Sequence, residues 1–105
     1  MEEFAAKPLF TISIAAKIVE LHPRTIMLYE KGNLITPHRT PTNRRLYSQN
    51  DLKVIHFIKF LTQQKGLNLK GVAAVFQALE IARRNNLKLR RRLFPDYSPP
   101  KNLLS

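Results

Sequence analysis

Residues 20–23 of this chain read Glu-Leu-His-Pro, and they leave room only for a tight turn between two short apolar-periodic runs. Upstream, after Pro8, Ile14, Ala15, Ile18 and Val19 recur at helical spacing, and Thr11 or Ser13 is suited to cap the run. Downstream, His22 and Pro23 stand where an N-cap and a first-turn proline belong. Ile26, Leu28 and Tyr29 follow, and Gly32 suits a C-terminal cap of positive φ. Ala15 and Ala16 are small enough to let a second helix approach closely. This is helix-turn-helix spacing, and it equally suits a plain helical hairpin in an all-α core.

The next segment bears on that choice. From Asn33 to Ser48 prolines 37 and 41 break helices, while Arg39, Arg44 and Arg45 alternate with Thr and Asn. Residues Leu34 to Thr36 and Arg45 to Tyr47 are expected to pair as short strands around a turn at Arg39 to Asn43, giving a two-stranded basic wing. An irregular loop with incidental charge is the plainer alternative. Three arginines flanking a turn directly behind helix-turn-helix spacing favour the wing.

Ser48 to Asp51 reads as a capping box, with Tyr47 placed to staple onto Leu52. A third helix is predicted from there to about Lys65 and Gly66, carrying Leu52, Ile55, Phe57, Ile58, Phe60 and Leu61. Asn68 then caps a fourth, with Leu69, Val72, Val75, Phe76 and Leu79 on one stripe continuing through Ala82. The division expected is an N-terminal arm over residues 1–8, a mainly α winged helix-turn-helix domain over 9–86 ending in a dimerisation helix, and a basic, proline-containing tail over 87–105. Its last ten or so residues are expected to be flexible.

The 105 residues suit one compact domain, and a hydrophobic fraction of 44% is enough to bury a core. Eighteen Lys and Arg against seven Asp and Glu leave a formal charge of +11, for which a nucleic-acid backbone is the commonest partner. An anionic membrane surface or an acidic protein is a weaker competitor. Without cysteine there are no disulfides, thiolate metal sites or thiol redox sensing. His22, His38 and His56 are scattered, so no metal or other cofactor is expected. Charge-free stretches such as residues 8–16 and 71–79 are too short to span a bilayer, and Glu2 and Glu3 do not suit a signal peptide, so a cytoplasmic, nucleoid-associated protein is expected. No phosphate-cradling glycine loop or pair of carboxylates at catalytic spacing occurs, so the chain does not read as an enzyme.

In order and spacing, "ISIAAKIVELHPRTIMLYEKGNLITP", "RRLYSQNDL" and "GLNLKGV" resemble the MerR superfamily of winged helix-turn-helix transcription regulators. "LHPRT", "PHRT" and "GLNLKGV" look more like its heat-shock repressors, called HspR, than like its metal sensors. The resemblance covers roughly residues 9 to 80. It implies that Pro23 to Lys31 enters the major groove of DNA. Arg24, Thr25 and Tyr29 then stand at motif positions used on DNA, Lys17 is also expected to contact it, and Arg39, Arg44 and Arg45 lie along the flanking backbone with Tyr47 behind them, itself counted among the candidate contacts. In chemical terms Arg24 can fork onto guanine or phosphate, and Thr25 can meet a phosphate or a thymine methyl. Tyr29 and Tyr47 also suit packing roles.

The resemblance further implies a repressor of heat-shock and chaperone genes, with a chaperone as a possible co-repressor. Leu69, Val72, Val75, Phe76 and Leu79 are expected to form the seam of an antiparallel homodimer, which would bind an inverted repeat in double-stranded DNA. Two positions depart from the family: Met27 replaces the usual arginine and Leu28 a frequent tyrosine, and Leu28 is expected in the core. The competing readings are a basic module that binds nucleic acid without reading bases, and an interaction adaptor that kept the fold.

Overall fold

The computed structural model describes residues 2–100. Two compact units emerge, residues 2–57 with Pro99 and Pro100, and residues 58–98. The elements in order are α1 (Glu2–Ala5), β1 (Phe10–Thr11), α2 (Ile12–Val19), α3 (Pro23–Lys31), β2 (His38–Arg39), β3 (Arg45–Tyr47), α4 (Gln49–Gln63), α5 (Leu69–Arg84) and α6 (Leu89–Leu93). The boundary between units falls within α4.

In the first unit, local side-chain chemistry sets the helix ends. The Thr11 hydroxyl accepts from the Ile14 N–H at 3.4 Å and starts α2. The helix stops at Glu20, which adopts the left-handed region at φ 57° while the amides of Glu20 and Leu21 both donate to the Ala16 carbonyl. Two residues later the His22 ring Nδ1 accepts from the Arg24 N–H at 3.0 Å, and Pro23 occupies the first turn of α3. At the other end the expectation for Gly32 is corrected. Gly32 keeps φ at −80°, and Asn33, at φ 60°, takes the left-handed position instead. The amides of Asn33 and Leu34 donate back to the carbonyls of Glu30 and Tyr29, which closes a Schellman motif one residue later than the glycine suggests.

The wing also differs from its expected register. The partner of β3 is His38–Arg39 rather than Leu34 to Thr36, with His38 opposite Leu46 and Arg39 opposite Arg45. Turn chemistry explains the shift. Thr40 exchanges backbone hydrogen bonds with Arg44 and Asn43, its hydroxyl accepts from the Arg44 N–H at 3.0 Å, and Asn43 sits at φ 66°. That tight loop draws the pairing up to the residue after Pro37, while Ile35 is spent on the core at 7% exposure. A third strand was not expected: β1 pairs antiparallel with β3, giving the order β1-β3-β2. Under this sheet and the two helices lie Ala15, Val19, Ile26, Tyr29, Tyr47, Leu52 and Ile55, all buried.

The Ser48 capping box forms as read: the Ser48 hydroxyl accepts from the Asp51 N–H at 3.0 Å, and the Asp51 carboxylate accepts from the Ser48 N–H at 2.8 Å. In the second unit, α4 ends two residues before Lys65, and Gly66 at φ 70° supplies the reversal. The Asn68 side chain then accepts from the Gly71 N–H at 2.8 Å and starts α5. Beyond Leu87, where sequence suggested a tail, α6 forms. Phe94 and Tyr97 pack edge-on against Phe60, with ring centroids at 6.0 and 4.9 Å. Of the stretch expected to be flexible, residues 101–105 lie outside the described residues.

Candidate nucleic-acid interface

The α2–turn–α3 pair gives α3 a buried and an outward face. Ile26 and Tyr29 point inward, at 0% and 3% exposure. Arg24, Met27, Leu28 and Lys31, spaced as neighbours on one helical face, are all exposed. Thr25 is half-buried beside them, and Lys17 is exposed in the last turn of α2. The expectation that Leu28 is core is therefore corrected: it is 54% exposed, because the inward positions of a nine-residue helix are already filled by Ile26 and Tyr29. The outward face is one cation at each end with two apolar side chains between.

Between α3 and the wing lies an ionic clamp that sequence reasoning missed. Glu30 takes the Arg45 Nε on one carboxylate oxygen at 2.6 Å and the Arg39 guanidinium on the other at 2.9 Å. Arg39 also donates to the Asn43 carbonyl at 3.3 Å, which ties the clamp to the hairpin turn. Partial burial pushes the Glu30 carboxyl up, but the hydrogen bonds and charges of Arg45 and Arg39 outweigh it and hold the group below the usual glutamate value. The same bond from Glu30 raises the Arg45 guanidinium still further above neutrality's reach. Arg44 is different. It is exposed, and among the described residues no acid lies within salt-bridge distance of it.

Tyr47 is fully buried, and its hydroxyl has no hydrogen-bond partner among the described residues. Burial raises its ionisation above the usual tyrosine value. With no accessible surface, Tyr47 in this conformation supports the wing from behind and cannot touch a phosphate. On α5, Val72 is likewise 0% exposed within the single chain, so it is core and not available to a seam. Leu69, Val75, Phe76 and Leu79 are only partly covered. The apolar arc of α4 is mostly consumed internally, with Leu52, Ile55, Phe57, Ile58 and Leu61 all buried. Among the described residues no group of three or more His, Cys, Asp or Glu side chains is placed to hold a metal ion, and no helix is long and apolar enough to cross a membrane.

Residues 10–79, from β1 through most of α5, match the profile of the MerR HTH family regulatory protein. The chain belongs to the MerR HTH family. Over 70 residues it is 34% identical to a protein provisionally named heat shock protein HspR from Streptomyces coelicolor, covering 67% of this chain and 46% of that one. Over 74 residues it is 43% identical to the HTH-type transcriptional regulator GlnR of Bacillus anthracis and of Bacillus cereus, covering 70% of this chain and 57% of theirs. The chain thus spans about half the length of these curated relatives. The matched stretch contains the α2–α3 pair, the three-stranded sheet and the Glu30 clamp. It ends before α6.

Proposed function

We propose that this MerR-family chain is a DNA-binding transcription regulator whose α3 reads the major groove while the β2–β3 wing meets the adjoining backbone. The observation that carries the reading is the joint presentation of an outward α3 face beginning at Arg24 and a basic hairpin fixed to that same helix through Glu30. A helix and a wing held in one geometry are what reading bases and gripping phosphates together require. Arg24, Thr25 and Lys17 contact DNA from the helices, Arg44 from the wing. Arg39 and Arg45 contact it only as far as Glu30 releases them. Tyr29 and Tyr47 hold the two elements from below.

The finer reading is repression by a two-fold dimer on an inverted repeat, with half-sites about one helical turn, roughly 34 Å, or a multiple apart. Its seam uses the partly covered Leu69, Val75, Phe76 and Leu79. Control of heat-shock genes, with a chaperone as co-repressor, is supported by the HspR likeness, while the GlnR likeness supports regulation in general. The test is to select duplexes from a random pool with the full chain and titrate the winner against random DNA. A preference of about a thousand-fold or more fits a base-reading regulator. A flat response would support the second reading, a basic module that binds nucleic acid indiscriminately, which the net charge of +11 favours.

A further inference from the structure

The stretch from Glu80 to Arg92 holds six cationic side chains and one acid, and it lies beyond the residues that match the family. A flexible basic tail needs no structure, yet this segment is built. Phe94 and Tyr97 pin the end of α6 onto Phe60, the Arg90 guanidinium lies 5.5 Å above the Tyr97 ring, and Lys65 pairs with Asp96 at 3.0 Å. Between the end of α5 and α6 this leaves an open groove of about 360 Å³, with Leu79, Leu87 and Leu89 along it and Arg83, Lys88 and Arg91 at its rim. Leu87 is 62% exposed there.

We propose that this groove docks a short acidic, leucine-bearing segment of another protein. Apolar side chains and cations alternate along one small surface, so the fitting occupant offers carboxylates and apolar side chains at matching spacing. A phosphate backbone would use the cations and leave the leucines against water. A second copy meeting this groove, as distinct from the α5 seam with which it shares Leu79, would set Lys88 and Arg91 against their own like charges. Arg83 and Arg84 are already shared with Glu80 at 2.7 and 3.3 Å and Arg90 lies over Tyr97, which leaves Lys88 and Arg91 as the groove's charges with no acidic partner among the described residues. The groove is small, so it suits a peptide anchor more than a folded face.

The probe is a fluorescein-labelled peptide of about twelve residues with leucines at helical anchor spacing and glutamates between, titrated with the full chain by anisotropy. Controls replace the leucines by serine or the glutamates by glutamine. Binding on the order of micromolar is expected, weakened about tenfold or more by either control and by Leu87→Ser or the pair Lys88→Glu and Arg91→Glu. These positions are exposed, and thermal melts of each variant establish that it stays folded. No binding by the wild type overturns the proposal, as does equal binding of the serine control, which would mean charge alone. So does a charge-reversed variant that loses random DNA or phosphatidylglycerol vesicles while keeping the peptide, or a Leu87→Ser variant whose only change is a smaller oligomer in the ultracentrifuge. The reading of α3 as a DNA reader is untouched by any of these results, because Arg24 variants probe it separately.

Discussion

Replacing Glu30 by Gln removes one negative charge from α3 and loosens two arginines at once. The Arg45 bond at 2.6 Å joins side chains 31% and 22% exposed, and the Arg39 bond at 2.9 Å joins side chains 37% and 22% exposed. Hydrogen bonds to charged groups contribute about 1.5 to 3 kcal/mol when shielded, and solvent-exposed pairs only about 0.2 to 1 kcal/mol. These two lie between the limits, with the more exposed Arg39 near the lower one. A loss of about 1 to 2 kcal/mol is expected, which lowers the melting temperature by about 4 to 8 °C per kcal/mol for a domain of this size. The Glu30 carboxyl titrates below its unfolded value, so its contribution is fully present above the ordinary glutamate range and disappears as pH falls through the lowered folded value. The gap between wild type and Glu30→Gln should therefore narrow as pH falls below the ordinary glutamate range and close once pH passes the lowered folded value. On DNA the variant should bind random duplex more tightly, because Arg39 and Arg45 are released, and discriminate less, because the wing is no longer held to α3. Melting curves across pH and anisotropy titrations on selected and random duplexes measure both. A variant with wild-type melting temperature and an unchanged specificity ratio would refute the clamp.

Arg24→Ala should cost about 1 to 3 kcal/mol on the selected duplex and less on random DNA, whereas Arg44→Ala should weaken all duplexes alike and reduce the salt slope by about one; equal losses for Arg24→Ala on both duplexes would move it to the backbone. Tyr47→Phe removes a buried hydroxyl without a partner, so stability should hold or rise by up to about 1 kcal/mol with DNA affinity intact. A clear drop in affinity would make Tyr47 a contact after all. Met27 and Leu28 offer apolar surface on α3, so replacing thymine by uracil in the selected duplex should weaken the wild type and have less effect on Leu28→Ser. Phe76→Asp should lower dimer content and operator affinity together in ultracentrifugation and anisotropy, and a wild-type monomer that grips a half-site tightly would end the dimer reading.

What was legible in the sequence is what neighbouring residues decide between themselves. His22 with Arg24, Ser48 with Asp51 and Asn68 with Gly71 are side-chain and backbone partners within three residues, and each cap formed where the sequence placed it. Competition between nearby candidates was harder. Gly32 and Asn33 both tolerate the left-handed region, and only the geometry of the last turn decides that Asn33 takes it. The same holds for Leu28, since an apolar residue next to Tyr29 reads as core until one sees which positions of α3 face inward. The least legible features depend on distance along the chain. Nothing in Phe10 or Thr11 announces that they will pair with Tyr47 and Leu46, and α6 is masked by the charge and prolines around it.

The interface shows the same limit in its charges, and there it changes the chemistry. Counted along the sequence, the wing offers three arginines to a phosphate. In three dimensions Glu30, nine residues before one and fifteen before another, holds two of them, and Arg44 alone stands open. In the second unit Glu80 shares Arg83 and Arg84, and Asp96 holds Lys65. Since each phosphate neutralised adds about 0.9 to the salt slope, a count of cations overstates the slope wherever an acid must first be displaced. A formal charge of +11 therefore measures long-range attraction to a polyanion. On the proposed reading the grip at close quarters falls to the cations that have no acidic partner among the described residues, Arg24 and Arg44 foremost. Because Arg39 and Arg45 are tied to the helix that carries Arg24, one acid does two things on the proposed DNA reading: Glu30 withholds both arginines from phosphate and fixes the wing relative to α3.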